Sequence, residues 1–127
     1  MIRSILHLKP APGRSRALLE YIVEQGIISR ALSLEGCLSA EVETKIPDAE
    51  DVVVTALWTS IEAYEAWLQS PARLRSGAGM LPLLDADGHE VSGAWLYQIE
   101  QAHGFANISH AAATAREPAK TAGEVKQ

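Results

Sequence analysis

Val52-Val53-Val54-Thr55-Ala56-Leu57-Trp58 is the stretch on which the fold turns. Successive side chains of a strand point to opposite sides, and here both alternate rows are mostly apolar. A strand of that kind lies inside a sheet with cover on each face. Thr59-Ser60-Ile61-Glu62 follows at once and has the form of a capping box, so a helix starts there. The inward row of that helix is Ala63, Ala66 and Trp67, with Tyr64 and Leu68 flanking it. Pro71 limits it, with room for one further turn through Leu74.

Working outward, Cys37 to Ile46 alternates. Leu38, Ala40, Val42, Thr44 and Ile46 form one row, and Ser39, Glu41, Glu43 and Lys45 the other. Residues 47–51 (PDAED) make the turn into the central strand. Further upstream, Leu18, Ile22 and Gly26 form an i, i+4 row beside Leu19, Val23, Ile27 and Ala31. The spacing predicts one long amphipathic helix from Arg14, stopped near Leu34-Glu35-Gly36. Ile2 to Lys9 reads as a strand that ends at Lys9-Pro10-Ala11-Pro12-Gly13. Downstream, 77–88 reads as a loop with an apolar centre, and Val91 to Ile99 as the last strand.

The order β-α-β-β-α-β indicates an α+β fold, the ferredoxin-like split β-α-β with helices on one face of an antiparallel sheet. Helices cover one face only, yet Val52–Trp58 and Ala94–Tyr97 are apolar on both. The open face would expose on the order of several hundred Å² of apolar surface, which monomers seldom do. A second copy packed sheet to sheet covers it, so a homodimer through the sheet face is expected. The alternative cover is the C-terminal segment, which has few large apolar residues.

Length and charge set the remaining bounds. A chain of 127 residues that is 47 % hydrophobic suits one domain. Residues 1–101 are expected to carry the fold. Residues 102–127 read as a largely disordered extension, since 111–127 holds little that is large and apolar. Phe105 and Ile108 give the segment 102–110 a means of docking on the body. The net charge is −5, with 14 acidic and 8 basic residues up to Glu100. That balance argues against a nucleic-acid partner. One cysteine, Cys37, allows no internal disulfide and no CxxC site. No apolar run reaches the ~18 residues of a membrane helix, and the first residues lack the apolar core of a signal peptide. A small cytoplasmic protein with no membrane partner is expected.

The set Leu34-Glu35-Gly36-Cys37, Val52–Trp58 with Thr59-Ser60, and Glu62-Ala63-Tyr64-Glu65-Ala66-Trp67-Leu68-Gln69-Ser70-Pro71 resembles the antibiotic biosynthesis monooxygenase family across residues 2–100. The resemblance implies a dimeric α+β barrel with a substrate pocket inside each subunit, between sheet and helices. It implies one of several activities: cofactor-independent oxygenation of polycyclic phenols, haem degradation, or isomerisation. Trp67 matches the helix tryptophan that lines the pocket of the haem degraders. Their first-strand asparagine has His7 at what looks like the same place. Their iron-ligating histidine falls at Gly77 here, which counts against haem chemistry, since the iron needs an axial ligand.

Candidate site residues follow. His7 shares a strand row with Ile5 and Lys9, opposite Ile2, Leu6 and Leu8. If the more apolar row meets the dimer partner, His7 faces the pocket, where a histidine suits general-base work near neutral pH. A hydrogen-bonded structural histidine is the competing reading. Trp67 and Tyr64 would shape the pocket as the other catalytic residues. Trp58, Arg73 and His89 are candidates for substrate binding, with core packing the alternative for Trp58 and solvation for Arg73. Asp85 and Asp87 do not complete a calcium loop, and neither metal nor organic cofactor is expected. The leading function is a cofactor-independent monooxygenase that uses O2 to oxidise a phenolic or polycyclic aromatic ligand. A non-catalytic dimer that binds a small ligand, or serves as an accessory protein, is the alternative. A haem-binding relative comes third.

Overall fold

In the computed structural model, residues 1–85 and 94–104 are described. Among the described residues the elements in order are β1 (Ile2–Leu8), α1 (Ser15–Glu24), α2 (Ile27–Leu32), β2 (Cys37–Thr44), β3 (Val52–Trp58), α3 (Ile61–Leu68) and α4 (Pro71–Met80). A short 3-10 turn, Leu81–Leu83, follows α4, and β4 is Trp95–Gln98. The sheet order is β2-β3-β1-β4, antiparallel throughout. This is the α+β, ferredoxin-like arrangement. The doubly apolar segment Val52–Trp58 lies inside the sheet between β2 and β1, as its two rows require.

The register shows which row faces the helices. Ile2 pairs with Trp58, Ser4 with Ala56, Leu6 with Val54 and Leu8 with Val52. Leu8, Val52, Leu18 and Ile22 are fully buried together. Ile2, Ala56, Trp58 and Tyr64 form a second cluster with Ala31 and Cys37. The more apolar row of β1 therefore packs against the helices, where burying it stabilises the fold most. In β2 a bulge between Cys37 and Ser39 pairs Cys37 with Trp58. The helix-facing row thus contains Cys37, Ala40 and Val42, whereas simple alternation put Leu38 in it.

Two helix expectations are corrected. The long helix from Arg14 is two helices, because Gly26 takes a left-handed backbone (φ 63°) and ends the first. Its neighbours Ile22 and Ile27 both stay buried. The second correction concerns the expected loop 77–88: α3 ends at Leu68, before Pro71, but Pro71 opens a further helix, α4, that runs to Met80 and leads into the 3-10 turn Leu81–Leu83. Ser70 caps it by accepting from the Arg73 N–H, and proline fits the first helical turn, where its missing N–H has no partner to lose. Gly77 and Gly79 weaken helix propensity, but tertiary contacts outweigh that. Ser76 and Met80 are buried, and the Tyr21 hydroxyl donates to the Ser76 carbonyl at 2.8 Å. The helix after β3 starts where expected, with Ser60 as its cap, accepting from the Ala63 N–H.

After α4 the chain returns to the end of β1. Ala11 donates to the Leu83 carbonyl and Asp85 to the Lys9 carbonyl, around a Pro10–Leu84 bridge. The expected last strand, 91–99, is seen as β4 over Trp95–Gln98, and its first residues lie outside the described ones, as do His89 and residues 105–127.

Candidate active site

The helix-facing side of the sheet and the four helices enclose a cavity of about 70 Å³. A single water needs about 10–15 Å³ on such a measure, so the space suits something larger. Its walls are mainly apolar, with Leu6, Leu8, Ile22, Ile27, Val54 and Met80 among them. The polar contributors are few: Ser4, Tyr64, Arg73 and Ser76, with the two indoles of Trp58 and Trp67. A predominantly apolar space with a few placed polar groups is what small-molecule sites look like.

Trp58 organises one end. Its Nε1 donates to Ser4 Oγ at 2.9 Å, and its ring meets Tyr64 edge to face with centroids 5.6 Å apart. Tyr64 comes from α3, and its hydroxyl accepts the Ala94 N–H at 2.9 Å. This contact ties α3 to the start of β4. Trp67, one helical turn beyond Tyr64, is half-buried and adds a flat wall. Arg73 reaches the cavity from α4 and is itself half-buried.

Four of the residues singled out from sequence are brought together here: Trp58, Tyr64, Trp67 and Arg73. Tyr64 is buried. His7 is not among them, and the expectation that it faces the pocket is corrected. It lies on the opposite row of β1, with Arg3 and Ile5, because the apolar row took the helix side. Its Nδ1 lies 3.0 Å from Asp51 Oδ2, with His7 56 % exposed. His89 lies outside the described residues.

Ser4 and Ser76 were not expected to line a site. The signal for Ser4 was available: it is the one polar residue in the row Ile2, Ser4, Leu6, Leu8. Ser76 depended on α4, which the glycines disguised. Gly77 also lines the cavity, and a Cβ added there would meet nothing within 4 Å. Among the described residues no histidine lines the cavity. Among the described residues there is also no cluster of His, Cys, Asp and Glu suited to a metal ion, and no helix long and apolar enough to cross a membrane.

Titratable groups with displaced pKa values lie away from the cavity lining. Burial pushes the Cys37 thiol up to about 11. On the open sheet face, burial raises the Glu43 carboxyl, as does a hydrogen bond with neighbouring Glu41, while the Thr55 hydroxyl donating at 3.0 Å lowers it.

Solved structures share this architecture. A protein of Chloroflexus aurantiacus J-10-fl bearing an antibiotic biosynthesis monooxygenase name is 25 % identical. The match covers 81 % of this chain and 96 % of that one, with a TM-score of 0.59. A Deinococcus radiodurans protein of the same name is 17 % identical, covering 83 % and 98 %, with a TM-score of 0.66. SnoaB, a cofactor-independent oxygenase from Streptomyces nogalater, is 14 % identical, covering 80 % and 94 %, with a TM-score of 0.64. No curated protein matches the chain significantly. The family model for antibiotic biosynthesis monooxygenases matches residues 1–76, which span β1 through most of α4 and supply nearly all of the cavity wall. By that match the chain belongs to the antibiotic biosynthesis monooxygenase family.

Proposed function

We propose that the protein is a cofactor-independent monooxygenase that oxidises a phenolic or polycyclic aromatic molecule with O2. The observation that carries this reading is the apolar cavity walled by Trp58 and Trp67, with Arg73 and the hydroxyls of Ser4, Tyr64 and Ser76 as its polar groups. The flat indoles suit a planar ring. The Arg73 guanidinium favours a phenolate over a phenol and stabilises charge that develops on oxygen. The balance is closed: a phenol with a free ring C–H plus O2 gives a quinone plus water. One oxygen atom enters the ring, the other leaves as water, and the substrate supplies all four electrons. With His7 on the far face, the proton leaves a substrate acidic enough to ionise under the influence of Arg73.

The same reading includes a homodimer through the open sheet face. That face carries Trp95 and Tyr97, 71 % and 54 % exposed, beside Ile5 and Val53. Exposed aromatic rings on a sheet face are costly unless covered. The setting is the cytoplasm, where Cys37 remains a thiol.

An oxygen electrode tests the reading, with 1-naphthol and 1,5-dihydroxynaphthalene as probes and chelator present. The expected result is one O2 consumed per quinone formed, abolished by boiling the protein. A second reading, binding without turnover in a ligand carrier or accessory protein, draws on the lack of a histidine or carboxylate among the described cavity residues. No O2 uptake together with a raised melting temperature favours that reading; a ligand at 100 times its Kd adds about 2.7 kcal/mol.

A further inference from the structure

The hydroxyls of Ser4 and Tyr64 are each committed as acceptors. An indole N–H can only donate, so Ser4 Oγ accepts from Trp58 Nε1. A backbone N–H can only donate, so Tyr64 Oη accepts from Ala94. Each hydroxyl has one hydrogen left. Neither donates it to any partner among the described residues, yet the two residues are only 5 % and 6 % exposed. A buried donor without an acceptor is costly, and the surrounding wall is apolar. Both line the same cavity and both meet Trp58, Ser4 at the indole N–H and Tyr64 at the ring, and Ala94 precedes Trp95, which pairs with Ile5, the residue next to Ser4.

We infer that Ser4 and Tyr64 form a two-donor seat for one oxygen of the ligand, an sp2 oxygen conjugated to an aromatic ring, as in an aryl ketone or a phenolate. Such an oxygen has the lone pairs to accept from both hydroxyls at once. Most of the rest of the cavity offers apolar wall to the ring, Arg73 and Ser76 being its other polar side chains. The pair selects ligands by that oxygen and fixes which edge of the ring meets Trp67. A purely hydrocarbon ligand leaves both donors unpaired and binds more weakly by the same penalty. The inference rests on the reading of this cavity as the substrate site, and it names the substrate feature that the site recognises.

Acetophenone and α-methylstyrene test it, since they share shape and differ by C=O against C=CH2. Calorimetric titration of the full chain is expected to show the ketone binding about tenfold or more tighter. Ser4→Ala and Tyr64→Phe should each weaken the ketone by about threefold to tenfold. Hydrocarbon binding should hold, which shows that the cavity is intact. Should either variant fail to fold, the wild-type protein decides: the carbonyl stretch of bound 13C-acetophenone should fall below its value in hexane. Equal affinity for the two ligands, or an unshifted stretch, overturns the two-donor seat and leaves the apolar site standing. If neither ligand binds, the seat and the proposed function fall together.

Discussion

Trp58 Nε1 and Ser4 Oγ lie 2.9 Å apart in a buried hydrogen bond that joins β3 to β1 beneath the cavity. Trp58 is 1 % exposed, so its N–H has no recourse to water when the serine is removed. Ser4→Ala is expected to cost about 1–3 kcal/mol, the usual penalty for orphaning a buried donor. Urea denaturation followed by tryptophan fluorescence measures it. A change below the error of the method contradicts the role given to this bond.

Gly36 turns the chain from α2 into β2 with φ 94°, a region costly for other residues. A Cβ there would lie 2.5 Å from Ala63 Cβ and 3.0 Å from Thr59 Oγ1. Backbone strain and collision with α3 act together, and α3 carries Tyr64 and Trp67. Gly36→Ala should therefore destabilise by more than about 1 kcal/mol and weaken ligand binding as well. Thermal denaturation with and without acetophenone separates the two effects.

His7 pairs with Asp51 on the open face, in a contact that water reaches. Exposed pairs contribute about 0–1 kcal/mol. His7→Ala is thus expected to leave turnover and ketone affinity within about twofold of wild type, a change worth ~0.4 kcal/mol at most. A large loss of turnover with the fold intact would return His7 to the reaction.

Glu43 titrates above its ordinary value of 4.5, because burial and Glu41 disfavour its charge. One of its oxygens, Oε1, is buried without a hydrogen-bond partner among the described residues. A carboxyl whose folded pKa is raised penalises the folded state once ionised. The penalty is full above the folded pKa, shrinks as pH falls through it, and is gone below the unfolded value. Glu43→Gln should therefore stabilise the protein at pH 7, with the gain disappearing below about pH 4.5. Melting curves across that range check the sign; a variant that is less stable at pH 7 refutes the assignment.

Cys37 is buried between α2 and the sheet, and burial holds its thiol protonated well past neutral pH. The thiolate is the reactive form. Ellman's reagent at pH 8 should react slowly with the native protein and rapidly once urea unfolds it. Fast native labelling would place Cys37 nearer to solvent than the structure does.

Periodicity made much of this fold readable. Two apolar rows in Val52–Trp58 marked an inner strand, the serine before Ile61 marked a helix start, and Trp58, Tyr64, Trp67 and Arg73 were singled out before they were seen around one cavity. Local signals misled where one residue type serves two purposes. Gly26 fitted an apolar row yet broke the helix by going left-handed, and Pro71, read as the limit of α3, also opens α4, which runs into the stretch expected as a loop.

Sequence by itself determined the rows of β1 and β3, the helix faces and the shortage of polar groups among them, while the bulge in β2 escaped simple alternation. A strand's spacing sorts its residues into two rows, but it does not say which row meets the helices. Only the tertiary structure decided that, by packing Ile2, Leu6 and Leu8 on the side that the helices cover. That choice turned His7 outward and Ser4 inward. Both results follow from one physical cause: the larger apolar area went where water is excluded, and each polar residue followed the row it belonged to.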